Sequence, residues 1–450
     1  MGEPAVGGAS PRHRALALVG ATDVAWLVSL PFAHGASRWW PMIVALGAHG
    51  WLVVAEGRRP TLGPRAVLAA SGLAVLVAVT IAPQGSADVY LYGMYGREVA
   101  AHGTSPYLHP PSAVDDSLEA AVSPPWRGWR TMYGPVFTGV SAVGAVGFRS
   151  STLATRLFFQ ALAGASLLGL VWFLGRRRVG PSALVLVGLS PPLLAVVNGG
   201  HNDLLAGAAV VLGVALASDR RPVAGGLALG AAVLVKVLAA PALLGVAVAL
   251  LFARRRREAA SVGITGLATV AGGYLLAGGV AALAPLRQGM GILSRASIWQ
   301  GFRTEELVST VPADRLASWA LPATAVAGGF LLLRHRRTAD PAATAGAALV
   351  LVLLLGAYVL PWYSAVALPL AGLGLPRVLR WIVWSQAALM LAAYVTSPGS
   401  GTTAVPYADA VVRLTPWALL GLAVVLCTAP LGRVRSSPEP ASPQASGAQR

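Results

Sequence analysis

A carboxylate, an imidazole and an ammonium stand out in a chain that is otherwise mostly apolar. Asp88 comes shortly after an apolar run. A carboxylate at such a boundary is partly desolvated, which raises its pKa and makes it a better general base. The same position also suits a solvated helix-end residue. Asn198-Gly-Gly-His201-Asn202-Asp203 then places four polar side chains between two apolar runs. Asn and Asp cap helices, so Asp203 also fits the start of the next helix. Capping explains His201 least. Lys236 is the single lysine of the 450 residues and sits within Ala-Val-Leu-Val-Lys236-Val-Leu. An ammonium at the bilayer centre costs ~2.5–3.5 kcal/mol on insertion scales, so it calls for a partner such as a lipid phosphate, or for snorkelling to the interface.

Aromatic and cationic residues gather in the segments between apolar runs. Tyr92, Tyr95, Tyr107, Trp129 and Tyr133 fall after the third run, and Trp362 and Tyr363 follow Pro361 much later. Flat aromatic faces stack on the apolar faces of sugar rings, and Arg bonds hydroxyls and phosphates. An aromatic belt at a membrane interface would use the same tyrosines. Arg287, Arg295, Arg303 and Arg315 stand near Trp299 and Phe302; they suit an anionic lipid head group or an acceptor glycan, and equally a solvated loop, with Arg303 the candidate donor ligand among them.

These residues need a scaffold, and composition says which. The chain is 56% hydrophobic and 11% charged, less than half the charge of a soluble domain. Apolar runs near the ~20 residues a spanning helix needs recur throughout. The fold class is an all-α polytopic membrane protein with about 14 transmembrane helices. The net charge of +17 comes from arginine clusters between the runs, the pattern of cytoplasmic loops and not of a nucleic-acid face. If every cluster is cytoplasmic, each neighbouring pair is separated by an even number of crossings. The rule fails between Arg65 and Arg176, where 66–83, 133–148 and 152–175 lie. The segment 133–148 is therefore expected to dip into the outer interface. The runs 182–198, 222–238, 240–253 and 363–376 are expected to cross. Both termini are then cytoplasmic. Two outer loops, 84–148 and 285–316, hold most of the polar chemistry. Residues 1–435 read as one membrane domain, and 436–450, rich in Ser, Pro and Ala, as a disordered tail. Asp23, inside the first run, is expected to make an interhelical hydrogen bond.

The exclusions narrow the chemistry. No metal-ligand spacing, P-loop or dinucleotide glycine fingerprint is present. A soluble nucleotide-sugar donor is thus unsupported, and a membrane-resident activated sugar fits better. A transporter or flippase of lipid-linked glycans is the competing class. It would show inverted repeats and polar groups near the midplane, whereas here the polar residues gather on one face.

Asp88 after an early helix, Gly-Thr-Ser-Pro-Tyr107, Tyr133-Gly-Pro135, Gly-Gly-His201-Asn202-Asp203, Lys236 and Pro361-Trp362-Tyr363 together resemble the GT-C glycosyltransferases. Within these, the chain resembles the actinobacterial polyprenyl-phosphomannose-dependent α-(1→6)-mannosyltransferases of lipomannan and lipoarabinomannan assembly. Family members often carry Asn-Pro-Tyr where this chain has Ser105-Pro106-Tyr107, and some carry paired acids where it has Asp88. The resemblance implies a GT-C helical bundle with interfacial or re-entrant helices in the first outer loop. It implies an inverting enzyme without metal or cofactor, acting at the outer face of the bacterial plasma membrane. Asp88 would be the base, and His201, Asn202, Asp203, Lys236 and Arg303 the donor phosphate and sugar ligands. The seven aromatics would face sugar. The partners implied are a polyprenyl-phosphate sugar, a glycan or glycolipid acceptor and membrane lipids, with no nucleic acid. Arabinose or glucose on the same carrier would need similar parts.

Overall fold

Proline punctuates the helices. It opens α3 (Pro64–Thr80), α5 (Pro135–Phe148), α7 (Pro181–Gly188), α8 (Pro191–Asn198), α10 (Pro222–Val235) and α17 (Pro341–Leu355), where its missing N–H costs no intrahelical bond. The structure is a computed structural model that describes residues 11–32, 39–308, 310–335, 340–395 and 406–430. No strand occurs among the described residues. The chain starts with α1 (Pro11–Ser29) and α2 (Trp39–Arg58). After α3 comes α4 (Asp88–Ala100), and after α5 comes α6 (Thr152–Arg176). The middle adds α9 (Asp203–Ser218), α11 (Ala240–Phe252) and α12 (Arg256–Leu276). Next come the short α13 (Ala284–Gly289), α14 (Ile298–Thr304) and α15 (Ala313–Ser318), then α16 (Ala320–His335). The last two helices are α18 (Arg377–Val395) and α19 (Pro406–Thr428).

By length and apolarity, five helical stretches among the described residues can cross a membrane outright: Thr152–Arg176, Pro181–Asn198, Arg256–Leu276, Ala313–Arg334 and Asp409–Thr428. Shorter apolar helices, including α3, α9, α10 and α17, fill the space between them. At 1.5 Å per residue, a 14-residue helix such as α10 reaches about 21 Å, short of a ~30 Å hydrocarbon core. The start of α9 and the end of α10 are buried, and there Asp203 and Lys236 meet.

Three runs expected to be uniform helices are interrupted. The run 182–198 breaks at Leu189–Ser190 into α7 and α8 because Pro191 and Pro192 follow. The run 222–238 breaks at Lys236, whose backbone is extended (φ −153°, ψ 123°). The run 363–376 is no spanning helix: Pro361–Val366 and Leu368–Leu373 are 3₁₀ turns, buried through most of their length. The first outer loop contains α4 and three 3₁₀ turns before α5. Residues 436–450, expected to be a tail, lie outside the described residues.

Small residues set how close the central helices come. A β-carbon at Gly226 of α10 would fall 2.7 Å from the Val262 carbonyl oxygen of α12, and one at Gly213 of α9 would fall 3.0 Å from the Gly225 carbonyl oxygen. Without a hydrophobic drive between helices in lipid, such backbone contact supplies the packing. It fixes the end of α10, and with it Lys236. Asp23 is fully buried on α1, and neither carboxyl oxygen has a hydrogen-bond partner among the described residues. The interhelical bond expected for it is absent there.

Candidate active site

The cluster is assembled at three chain breaks. The first is the end of α3, whose last carbonyls lack intrahelical donors. Asn198 Nδ2 donates to Ala78 O, Ile81 O and Ala82 O at 3.1–3.2 Å, while its Oδ1 accepts from the Gln84 N–H at 2.9 Å. Gln160 Nε2 donates to Ile81 O at 2.8 Å and Asn198 O at 2.7 Å, and Arg156 donates to Gln160 Oε1 at 3.0 Å. This knot of α3, α6 and α8 holds the segment that leads into Asp88, the first residue of α4. Gln160 and Arg156 carried no sequence signal: both lie within an apolar run, and only packing shows what they face.

The second break is the turn 199–202. Gly200 adopts φ +63°, and a β-carbon there would fall 2.5 Å from Val89. Only glycine lets this turn lie against the start of α4. The turn places His201 Nδ1 3.6 Å from Asp88 Oδ2 and 3.4 Å from the Tyr92 hydroxyl. The other face of the imidazole stacks on Trp362 at 4.0 Å between centroids, with planes 10° apart.

The third break is Lys236. Its ammonium donates to both Asp203 oxygens at 2.8 and 2.9 Å and lies 4.0 Å over the Tyr363 ring. Gly134 seats the first outer loop on this spot. Its N–H donates to Val235 O at 3.2 Å, and a β-carbon would collide with Leu234 O. Tyr133 is thereby held 6.0 Å from the Lys236 ammonium.

Charge follows from this geometry. Burial pushes the Asp88 carboxyl above the usual carboxylate range, against the pull of Ser86, the Lys236 charge and the Tyr92 hydroxyl that donates to it. Burial, and then the Lys236 charge, hold His201 well below its ordinary value, so the imidazole is neutral. Lys236 and Asp203 compensate each other. Asp88 is left as a part-exposed carboxylate with raised basicity, beside a neutral imidazole and aromatic walls.

The candidate residues divide accordingly. Asp88, His201, Asp203, Lys236, Tyr133, Trp362 and Tyr363 come together. Asn202 is 2% exposed, and both ends of its amide lack partners among the described residues. Tyr92, Tyr95 and Tyr107 are 0%, 3% and 4% exposed, which corrects the sugar-stacking role expected of them. Tyr92 packs edge-on against Tyr133, Phe137 and Phe159. Tyr95 donates to Trp129 O at 2.8 Å, and Tyr107 to Tyr133 O at 2.9 Å. Tyr95 and Tyr107 are loop framework, whereas the Tyr92 hydroxyl lies against His201 and Asp88. Trp129 is half-buried, edge-on to Trp126. Arg303 is exposed on α14, which packs on α19, and forms no ion pair with the cluster among the described residues. Lys236 has Asp203 as its partner, where a lipid phosphate or the membrane interface had been expected. Asp116 organises the loop: it binds Arg97 Nε at 2.5 Å and His102 Nε2 at 2.8 Å, and caps the Leu118 N–H at 3.0 Å. No cluster of His, Cys, Asp and Glu suited to a metal occurs among the described residues.

Residues 5–253 match the family model described as alpha-(1→6)-mannopyranosyltransferase, N-terminal domain, of the MptA/B family. Alpha-(1→6)-mannopyranosyltransferase A of Mycobacterium tuberculosis is 31% identical over 167 residues, which is 36% of this chain and 32% of that protein. The chain is thus aligned to about a third of that relative's length. No solved structure matches the chain. The family match takes in Asp88, the turn carrying His201, and Lys236, and it covers more than half of the sequence. On that coverage, this membrane protein belongs to the alpha-(1→6)-mannopyranosyltransferase MptA/B family.

Proposed function

We propose that the chain is an inverting glycosyltransferase that moves mannose from a β-linked polyprenyl-phosphate donor to a hydroxyl of a mannan or lipoglycan acceptor, making an α-(1→6) bond at the extracytoplasmic membrane face. Residues 1–435 act as one membrane unit with cytoplasmic ends. The observation that carries the reading is the pairing of charges at the site. Lys236 and Asp203 neutralise each other, so Asp88 faces the aromatic walls as a base of raised basicity.

In the transfer, the acceptor oxygen forms a bond to C1 as its proton passes to Asp88. The C1–O bond to phosphate breaks, and its electron pair leaves with polyprenyl phosphate. Attack opposite the leaving group converts β to α. Tyr133, Trp362 and Tyr363 are half-buried, and in this reading their rings contact the sugar. Burial by aromatic walls strengthens each electrostatic contact with the developing charge.

The test is a membrane assay with purified polyprenyl-phosphate mannose, arabinose and glucose and short mannoside acceptors, read by product linkage. An α-(1→6)-linked mannose product supports the proposal. Transfer of arabinose or glucose alone reassigns the sugar, and no transfer from any of them defeats it.

A further inference from the structure

A phosphodiester donor that leaves as a phosphate monoester gains negative charge at the phosphate oxygens, and a site in low dielectric must offset it. Lys236 is already bound bidentately by Asp203. The second outer loop holds other cations. Arg287, Arg303 and Arg315 are exposed, whereas Arg295 is half-buried and has no carboxylate within ion-pair distance among the described residues.

Arg295 is tied to the walls of the cluster. Ser294 N–H donates to Ala357 O at 2.9 Å, and Ser294 Oγ accepts from the Val359 N–H at 3.1 Å. These bonds fasten Arg295 to the segment that continues into Trp362 and Tyr363. The guanidinium lies 4.2 Å over the Tyr394 ring, and Nη2 donates to Ala393 O at 2.8 Å. Its Nε is buried without a hydrogen-bond partner among the described residues. The Tyr358 ring meets Tyr363 edge-on at 6.2 Å. The bonds of Ser294 thus tie Arg295 to the segment whose Tyr363 ring lies under the Lys236 ammonium. A guanidinium held flat on a ring is a pre-organised fork for phosphate oxygens.

We propose that Arg295 is the phosphate subsite of this enzyme, binding the anionic head group of the polyprenyl carrier while Lys236 stays paired with Asp203. The proposal rests on the glycosyltransferase reading, and a binding experiment separates the two. Full-length protein in detergent is titrated with farnesyl phosphate, farnesol and inorganic phosphate, using wild type, Arg295→Met and Arg295→Lys. Met keeps the length that packs on Tyr394 without the charge. Farnesyl phosphate affinity should fall about tenfold or more in Arg295→Met and about threefold or less in Arg295→Lys, the scale of one charge-assisted contact. Farnesol binding should not change. Loss of inorganic phosphate binding in parallel would make the subsite one for phosphate itself, and a loss confined to farnesyl phosphate would make it one for the lipid head group. Wild-type affinity for farnesyl phosphate in Arg295→Met overturns the proposal. A wild type that binds farnesyl phosphate through Arg295 but transfers no sugar would overturn the glycosyltransferase reading instead.

Discussion

The Lys236 ammonium and the Asp203 carboxylate form a bidentate pair at 2.8 and 2.9 Å, with side chains 9% and 0% exposed. The pair joins the broken end of α10 to the start of α9. Removing one partner leaves a buried charge uncompensated, which costs about 3–5 kcal/mol. Lys236→Met and Asp203→Asn should each lower thermal stability in detergent strongly, and the double variant should recover most of the loss. Additive losses in this double-mutant cycle would show that the two residues are not coupled.

Asp88→Asn should fold and insert as wild type but lose about 10²–10⁴-fold in transfer, the usual worth of a general base. The base must be deprotonated, so kcat/KM should rise with pH. Burial raises the Asp88 carboxyl, so the midpoint of that acid limb should lie above the ordinary carboxylate value near 4. A pH profile with the same limb in Asp88→Asn would assign the proton transfer to another group.

Gln160 positions Asp88 through its amide N–H groups, which donate to Ile81 O and Asn198 O. Gln160→Leu and Gln160→Glu both lack that donor and should both lower kcat by about ten- to a hundredfold, as a small misplacement of a catalytic group does. Donor KM should change little. Full activity in Gln160→Glu would mean that the donor function is unimportant.

Glu98 of α4 is fully buried, and both carboxyl oxygens lack partners among the described residues. Burial pushes its carboxyl up to about 8, from an ordinary value of 4.5. The folded state thus holds this proton more tightly than the unfolded state. The stability it contributes is complete below the ordinary value and is lost as pH rises through about 8. Glu98→Gln should leave melting at pH 4 nearly unchanged and raise it at pH 8.5, by an effect of order a few kcal/mol. Equal shifts at both pH values would point to packing in place of titration.

Much of this protein could be read along the chain, because it depends on local composition. A bilayer demands apolar helices of a given length, so an 11% charged, 56% hydrophobic sequence announces its class without tertiary contacts. A charge inside an apolar stretch is costly anywhere, so Lys236 and the His201 turn were conspicuous as residues. Their partners were not. Whether Lys236 meets Asp203 or a ligand, and whether Tyr92 and Tyr107 stack on a sugar or fill the interior, depends on where separate helices stop against one another. Gly134 against Leu234 and Gly200 against Val89 make those contacts possible, and each joins segments far apart in sequence. Gln160, Asn198 and Arg295 act through backbone carbonyls and ring faces brought to them by packing. Helix length and polarity are summed along the chain, whereas pairing, burial and access are set across it, so only the fold could decide them.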